Sequence, residues 1–73
     1  MKNQGAAIAA FEKALGQDPN NPMARFNLAR VYEDLGRNDL ARKEFRMVVK
    51  ATSGDKGNGK LYEVAQKKLI EMQ

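Results

Sequence analysis

The chain has 73 residues, 42% of them hydrophobic, and contains no Cys, no His and no Trp. That is one small domain with no disulfide or zinc staple, and it excludes Ser-His-Asp triads, Cys-His dyads and His general bases. Thirteen basic against nine acidic residues give a net charge of +4, with nine basic and five acidic groups in residues 37–73; this suits an acidic partner but falls short of a nucleic-acid-binding arm.

Three runs of turn residues leave four stretches of helical length, about 3–15, 22–35, 38–52 and 59–72. None has the apolar/polar alternation of a half-buried strand, so the fold class is all-α. The first stretch carries the longest apolar run, Ala6 to Phe11, six residues where a membrane span needs about 20. Met1-Lys2 ahead of it imitates the start of a signal peptide, but Glu12 and Lys13 end the run too early. With no targeting signal, the cytoplasm is the default expectation. Ala6, Ala7, Ile8, Ala10, Phe11, Ala14 and Leu15 are more apolar residues than one contact face needs.

Gln17-Asp18-Pro19-Asn20-Asn21-Pro22 is a turn with two prolines. Asn21 is placed to cap the second helix, and Pro22 suits its first position because no N–H partner is needed there. Ala24, Leu28, Val31 and Leu35 then recur at 4, 3, 4 spacing and draw one stripe along that helix. Gly36 is placed to end it. Asn38 or Asp39 can cap the third helix, whose stripe is Ala41, Phe45, Val48 and Thr52. Ser53 to Gly59 is the longest loop, and Leu61, Val64, Ala65, Leu69 and Met72 form the last stripe. Connections as short as 16–21 and 36–38 make consecutive helices antiparallel neighbours.

The chain also repeats itself. Ala7-x3-Phe11-x2-Ala14-Leu15 lies over Ala41-x3-Phe45-x2-Val48-Val49 at an offset of 34 residues. Phe26-x-Leu28-Ala29 lies over Tyr62-x-Val64-Ala65 at an offset of 36, the two extra residues falling in the Gly-rich loop. In this the sequence resembles the tetratricopeptide repeat family, whose unit is a 34-residue helix–turn–helix. Residues 22–55 resemble one complete repeat through Leu28-Ala29, Tyr32, Gly36, Ala41, Phe45 and Val48. Residues 4–21 resemble the second helix of a preceding repeat, closed by Asp18-Pro19-Asn20-Asn21, and residues 58–73 the terminal helix that caps such arrays. The departures are Arg25 where the family prefers Trp or another large apolar residue, Val48 for the usual Ala, and Ser53-Gly54 for the closing Pro.

The resemblance implies a right-handed α-solenoid of antiparallel hairpins. Residues 1–73 would be a single domain and a fragment of a longer repeat protein. Ala14, Ala29, Ala41 and Ala65 would let helix backbones approach, with Phe11, Tyr32 and Phe45 filling the gaps, since one hairpin cannot bury its face alone. It also implies a non-catalytic protein–protein interaction module whose first-type helices line a concave groove. On helical spacing the groove residues are Met23, Phe26, Asn27, Arg30 and Glu33, with Tyr62 and Gln66 from the last helix. There Asn27 would bond a ligand backbone, Arg30 a carboxylate, and Phe26 and Tyr62 would serve as aromatic anchors. The plainer alternative packs Met23 and Phe26 against a neighbouring helix.

Two other roles are open. The first helix has no partner on its N-terminal side, so Ala7, Ile8, Phe11 and Leu15 are candidates for a homo-oligomer contact. Arg42, Lys43, Arg46 and Lys50 make a basic face on the third helix, which an anionic surface or a nucleic acid would bind; without aromatic platforms beside it, a solvated outer face is expected. Nothing points to catalysis, a cofactor or a metal. Gly54-x4-Gly59-Lys60 approaches a phosphate-binding loop, but Leu61 replaces the Mg²⁺-binding hydroxyl. Asp55-x-Gly57-x-Gly59 lacks the alternating oxygen ligands of a calcium loop. Glu33 and Asp34 are adjacent on a helix and point apart, which rules out a carboxylate pair.

Overall fold

The computed structural model describes residues 3–54 and 56–72. It has helices α1 (Gln4–Gln17), α2 (Pro22–Asp34), α3 (Asn38–Thr52) and α4 (Gly59–Glu71), with a single 3₁₀ turn, Lys56–Asn58, ahead of α4. No strand occurs among the described residues.

The helix ends follow from identifiable caps. Asn3 Oδ1 accepts the Ala6 N–H at 3.0 Å and starts α1. Asn21 Oδ1 accepts the N–H groups of Met23 (3.1 Å) and Ala24 (3.2 Å), and Pro22 takes the first helical position. The end of α2 is a Schellman turn: Arg37 N–H donates to Tyr32 C=O at 2.8 Å and Gly36 N–H to Glu33 C=O at 3.0 Å, with Gly36 at φ +76°. That turn takes Leu35 out of the helix and off the expected stripe, and it stays 42% exposed. α1 runs past the expected residue 15 to Gln17, and the Asp18 N–H still bonds Ala14 C=O at 2.9 Å; Pro19 follows and allows no further turn. The start of α3 differs from the expectation. Its N-cap is Arg37, with no side-chain cap, while Asn38 and Asp39 already lie inside the helix. Asp39 instead sits in the first turn, favourable for the helix dipole, and pairs with Arg42 at 2.9 Å.

Consecutive helices pack against each other, α1 on α2, α2 on α3 and α3 on α4. The core is small and built on alanine: Ala29, Ala41 and Ala65 are fully buried together with Phe45 and Val48. Phe26 sets its ring edge on Phe45, centroids 5.6 Å apart and planes at 69°, an arrangement favourable for aromatic quadrupoles. Thr52 completes the α3 stripe inside the protein by donating its hydroxyl to Val48 C=O at 2.7 Å, so its own buried oxygen is satisfied. α2 and α4 run parallel: Phe26 near the start of α2 shares a cavity with Leu61 and Val64 near the start of α4, and Glu33 near its end meets Lys68 at 3.2 Å. The extents are 35 × 30 × 18 Å.

Candidate functional site

α2 touches all three other helices. Asn27 and Val31 share a cavity with Ala7 and Phe11 of α1. Arg25 pairs with Glu44 of α3 at 2.8 Å. Glu33 pairs with Lys68 of α4. At 3.6 residues per turn this leaves one stripe, Met23, Asn27, Arg30 and Asp34, again at 4, 3, 4 spacing. Met23 is 54% exposed, Arg30 and Asp34 are exposed, and Asn27 is half-buried.

A cavity flanks this stripe on each side. One, of about 230 Å³, lies between the first turns of α1 and the C-terminal half of α2 and is lined by Asn27, Arg30 and Asp34 among others. The other, of about 420 Å³, lies between the N-terminal ends of α2 and α4. Met23 and Phe26 form one wall, Leu61 and Val64 the opposite wall, and Gly57, Asn58 and Lys60 the end.

The expected groove residues therefore divide. Asn27 and Arg30 line the cavity beside α1, and Met23 and Phe26 the cavity beside α4. Phe26 is half-buried and spends one ring edge on Phe45, so it serves the core as well as the cavity. Glu33 is engaged by Lys68 Nζ, at 3.2 and 3.4 Å from its two oxygens. On α4 the Gln66 amide donates to the Tyr62 hydroxyl at 2.9 Å. Lys60, Leu61 and Val64 were not among the expected groove residues. Leu61 and Val64 fit the α4 core stripe, and the signal for the cavity was the two-residue shift in repeat offset, which displaces the start of α4.

Of the expected self-association residues, Ala7, Ile8, Phe11 and Leu15 are all half-buried, and Ala7 and Phe11 face the cavity beside α2. On the basic face, Arg42 is paired with Asp39, while Lys43, Arg46 and Lys50 are exposed. Gly59 opens α4 and Lys60 is exposed; Asp55, the first position of the calcium-loop reading, lies outside the described residues. Among the described residues no three His, Cys, Asp or Glu side chains come together as metal ligands would, and no helix is long and apolar enough to cross a membrane.

Among the described residues, the Tyr32 side chain has a displaced pKa. Burial raises the Tyr32 phenol above its ordinary value, and the Glu12 and Glu44 carboxylates push the same way, with Arg37 opposing. Those two carboxylates belong to α1 and α3, so Tyr32 marks the face of α2 that lies against both helices.

A family model described as tetratricopeptide repeat matches residues 5–56. No curated protein and no solved structure matches the chain.

Proposed function

The chain belongs to the tetratricopeptide repeat family, and from that premise we propose that it is a non-catalytic module that binds a segment of a partner protein along the open face of α2. Repeats of this family generally mediate protein–protein interaction. The observation that supports the groove is the stripe Met23, Asn27, Arg30 and Asp34, left uncovered between two cavities. Its chemistry suits a peptide. The Asn27 amide can both donate to and accept from a backbone, Arg30 presents a fork of N–H donors for a carboxylate, and Met23 adapts to apolar shapes. Panning a random peptide library on the full chain supplies a ligand. Replacing Asn27 and Arg30 together by Ala is then expected to weaken that ligand while the circular dichroism spectrum stays unchanged. Unaltered affinity in the folded double variant contradicts the groove.

A second reading rests on α1. None of its residues is fully buried, although α2, α3 and α4 each bury at least one. Ala7, Ile8, Phe11 and Leu15 then offer a face to a second copy of the chain. Light scattering across a concentration series is expected to show association that Phe11→Ser abolishes. A strict monomer at high concentration removes this reading.

A further inference from the structure

The repeat offset of 36 residues between α2 and α4, against 34 between α1 and α3, places two additional residues in the 53–59 loop. That loop contains the Lys56–Asn58 turn, and Gly57 and Asn58 form the end of the 420 Å³ cavity between α2 and α4. The longer loop thus builds one side of a cavity whose walls are otherwise the apolar side chains of Met23, Phe26, Leu61 and Val64. Its volume sits at the lower end of the range of about 300–1,000 Å³ typical of ligand sites, which suits one large side chain better than a whole helix.

Lys60 stands at the same end. It is exposed, lines the cavity, and no described carboxylate lies within ion-pairing distance, Glu63 one turn later included. The cavity thus combines apolar walls with a cation at its rim. We propose that it is a specificity pocket for an extended partner segment in which a Leu- or Phe-like side chain fills the space between Phe26 and Val64 and an adjacent acidic residue pairs with Lys60. This deepens the groove reading and rests on it. The occupant is set by charge complementarity. A basic neighbour would meet the exposed ammonium of Lys60, and a wholly polar segment would leave Met23, Leu61 and Val64 against water.

The test is a methyl and amide NMR titration of the full chain with three capped peptides, identical except for a central Leu-Glu, Leu-Lys or Ser-Glu. The Leu-Glu peptide is expected to shift the Met23, Leu61 and Val64 methyls saturably and to bind more tightly than the other two. Lys60→Glu is on the surface and leaves folding intact; it is expected to weaken Leu-Glu binding about three- to tenfold and to favour Leu-Lys instead. Val64→Phe, which fills the cavity, is expected to abolish the shifts; should it unfold the chain, Lys60→Glu decides alone. Equal affinity for Leu-Glu and Leu-Lys, indifference to Lys60→Glu, or no saturable shift overturns the pocket. Shifts confined to Asn27 and Arg30 overturn the pocket and leave the groove reading standing. Shifts confined to α3, both with these peptides and with a panned ligand, overturn both.

Discussion

Arg25 Nη1 and Glu44 Oε1 lie 2.8 Å apart across the α2–α3 hairpin, with only 15% and 12% of their side chains exposed. Arg25 occupies the position where tetratricopeptide repeats prefer Trp or another large apolar residue. Arg25 Nε also donates to Pro19 C=O at 3.0 Å, so one side chain ties α2 both to its hairpin partner and to the turn before it. A charge pair of this burial is worth little against a well-packed apolar pair, but breaking it is costly because the remaining charge loses its partner.

Arg25→Ala is therefore expected to destabilise the chain by about 2–4 kcal/mol. Replacing Arg25 and Glu44 together by Leu is expected to recover all but about 1 kcal/mol of that loss. Urea denaturation of the parent chain and these two variants measures both. An Arg25→Ala cost within about 0.5 kcal/mol would place the pair among ordinary surface ion pairs.

Phe45 is wholly buried and carries the aromatic contact to Phe26. Phe45→Ala is expected to cost about 3–5 kcal/mol, as large as the whole stability of about 3–5 kcal/mol that a domain this size can reach. The variant should have lost most of its helical circular dichroism at room temperature, while Phe45→Leu should keep it. A folded, cooperatively melting Phe45→Ala contradicts the core described above.

Two glycines should respond to alanine with opposite signs. Gly36 sits at φ +76° with open space around it, so Gly36→Ala meets no steric contact and suffers from backbone strain alone, about 1–2 kcal/mol. Gly16 lies within α1 with nothing within 4 Å of an added Cβ, so Gly16→Ala is expected to stabilise by about 0.4–1 kcal/mol through helix propensity. Thermal melts of the two variants check the contrast. A shift in the same direction for both refutes the assigned helix end.

Tyr32 makes stability depend on alkaline pH. Its folded pKa is raised, so its contribution is fully present below the unfolded value of about 10 and is lost as pH rises through the folded value. Between the two values the unfolded chain has released the proton and the folded chain still holds it, so unfolding gains. Tyr32→Phe is expected to flatten this alkaline loss relative to the parent chain. Urea midpoints at about pH 8 and about pH 11 decide it; identical pH dependence in both chains contradicts the assignment.

Much of this architecture was legible in the residues. Asn21-Pro22 fixed the start of α2 because an Asx oxygen accepts the first free N–H groups and the proline directly after it needs no N–H partner, and Gly36 fixed its end because glycine takes a positive φ cheaply. The Ala41, Phe45, Val48 and Thr52 stripe was readable because α3 buries a single clean face. The start of α3 was not, since Asn38 and Asp39 are both good caps and the tight turn after Gly36 decided between helix and cap. The candidate site was legible as a set of α2 residues but not as a shape. Helical spacing gives which residues share a face; it cannot say that Glu33 meets Lys68 across 35 residues of chain, or that Phe26 turns toward Phe45.

A partner segment received by the uncovered face of α2 would change the surroundings of that face before any other. Amide-shift mapping of the full chain with the tightest panned peptide reads this out residue by residue. Saturable shifts are expected, concentrated at Met23, Asn27, Arg30 and Asp34 and at the facing residues of α1 or α4. Shifts confined to the exposed basic face of α3, at Lys43, Arg46 and Lys50, with α2 silent, would contradict binding at α2.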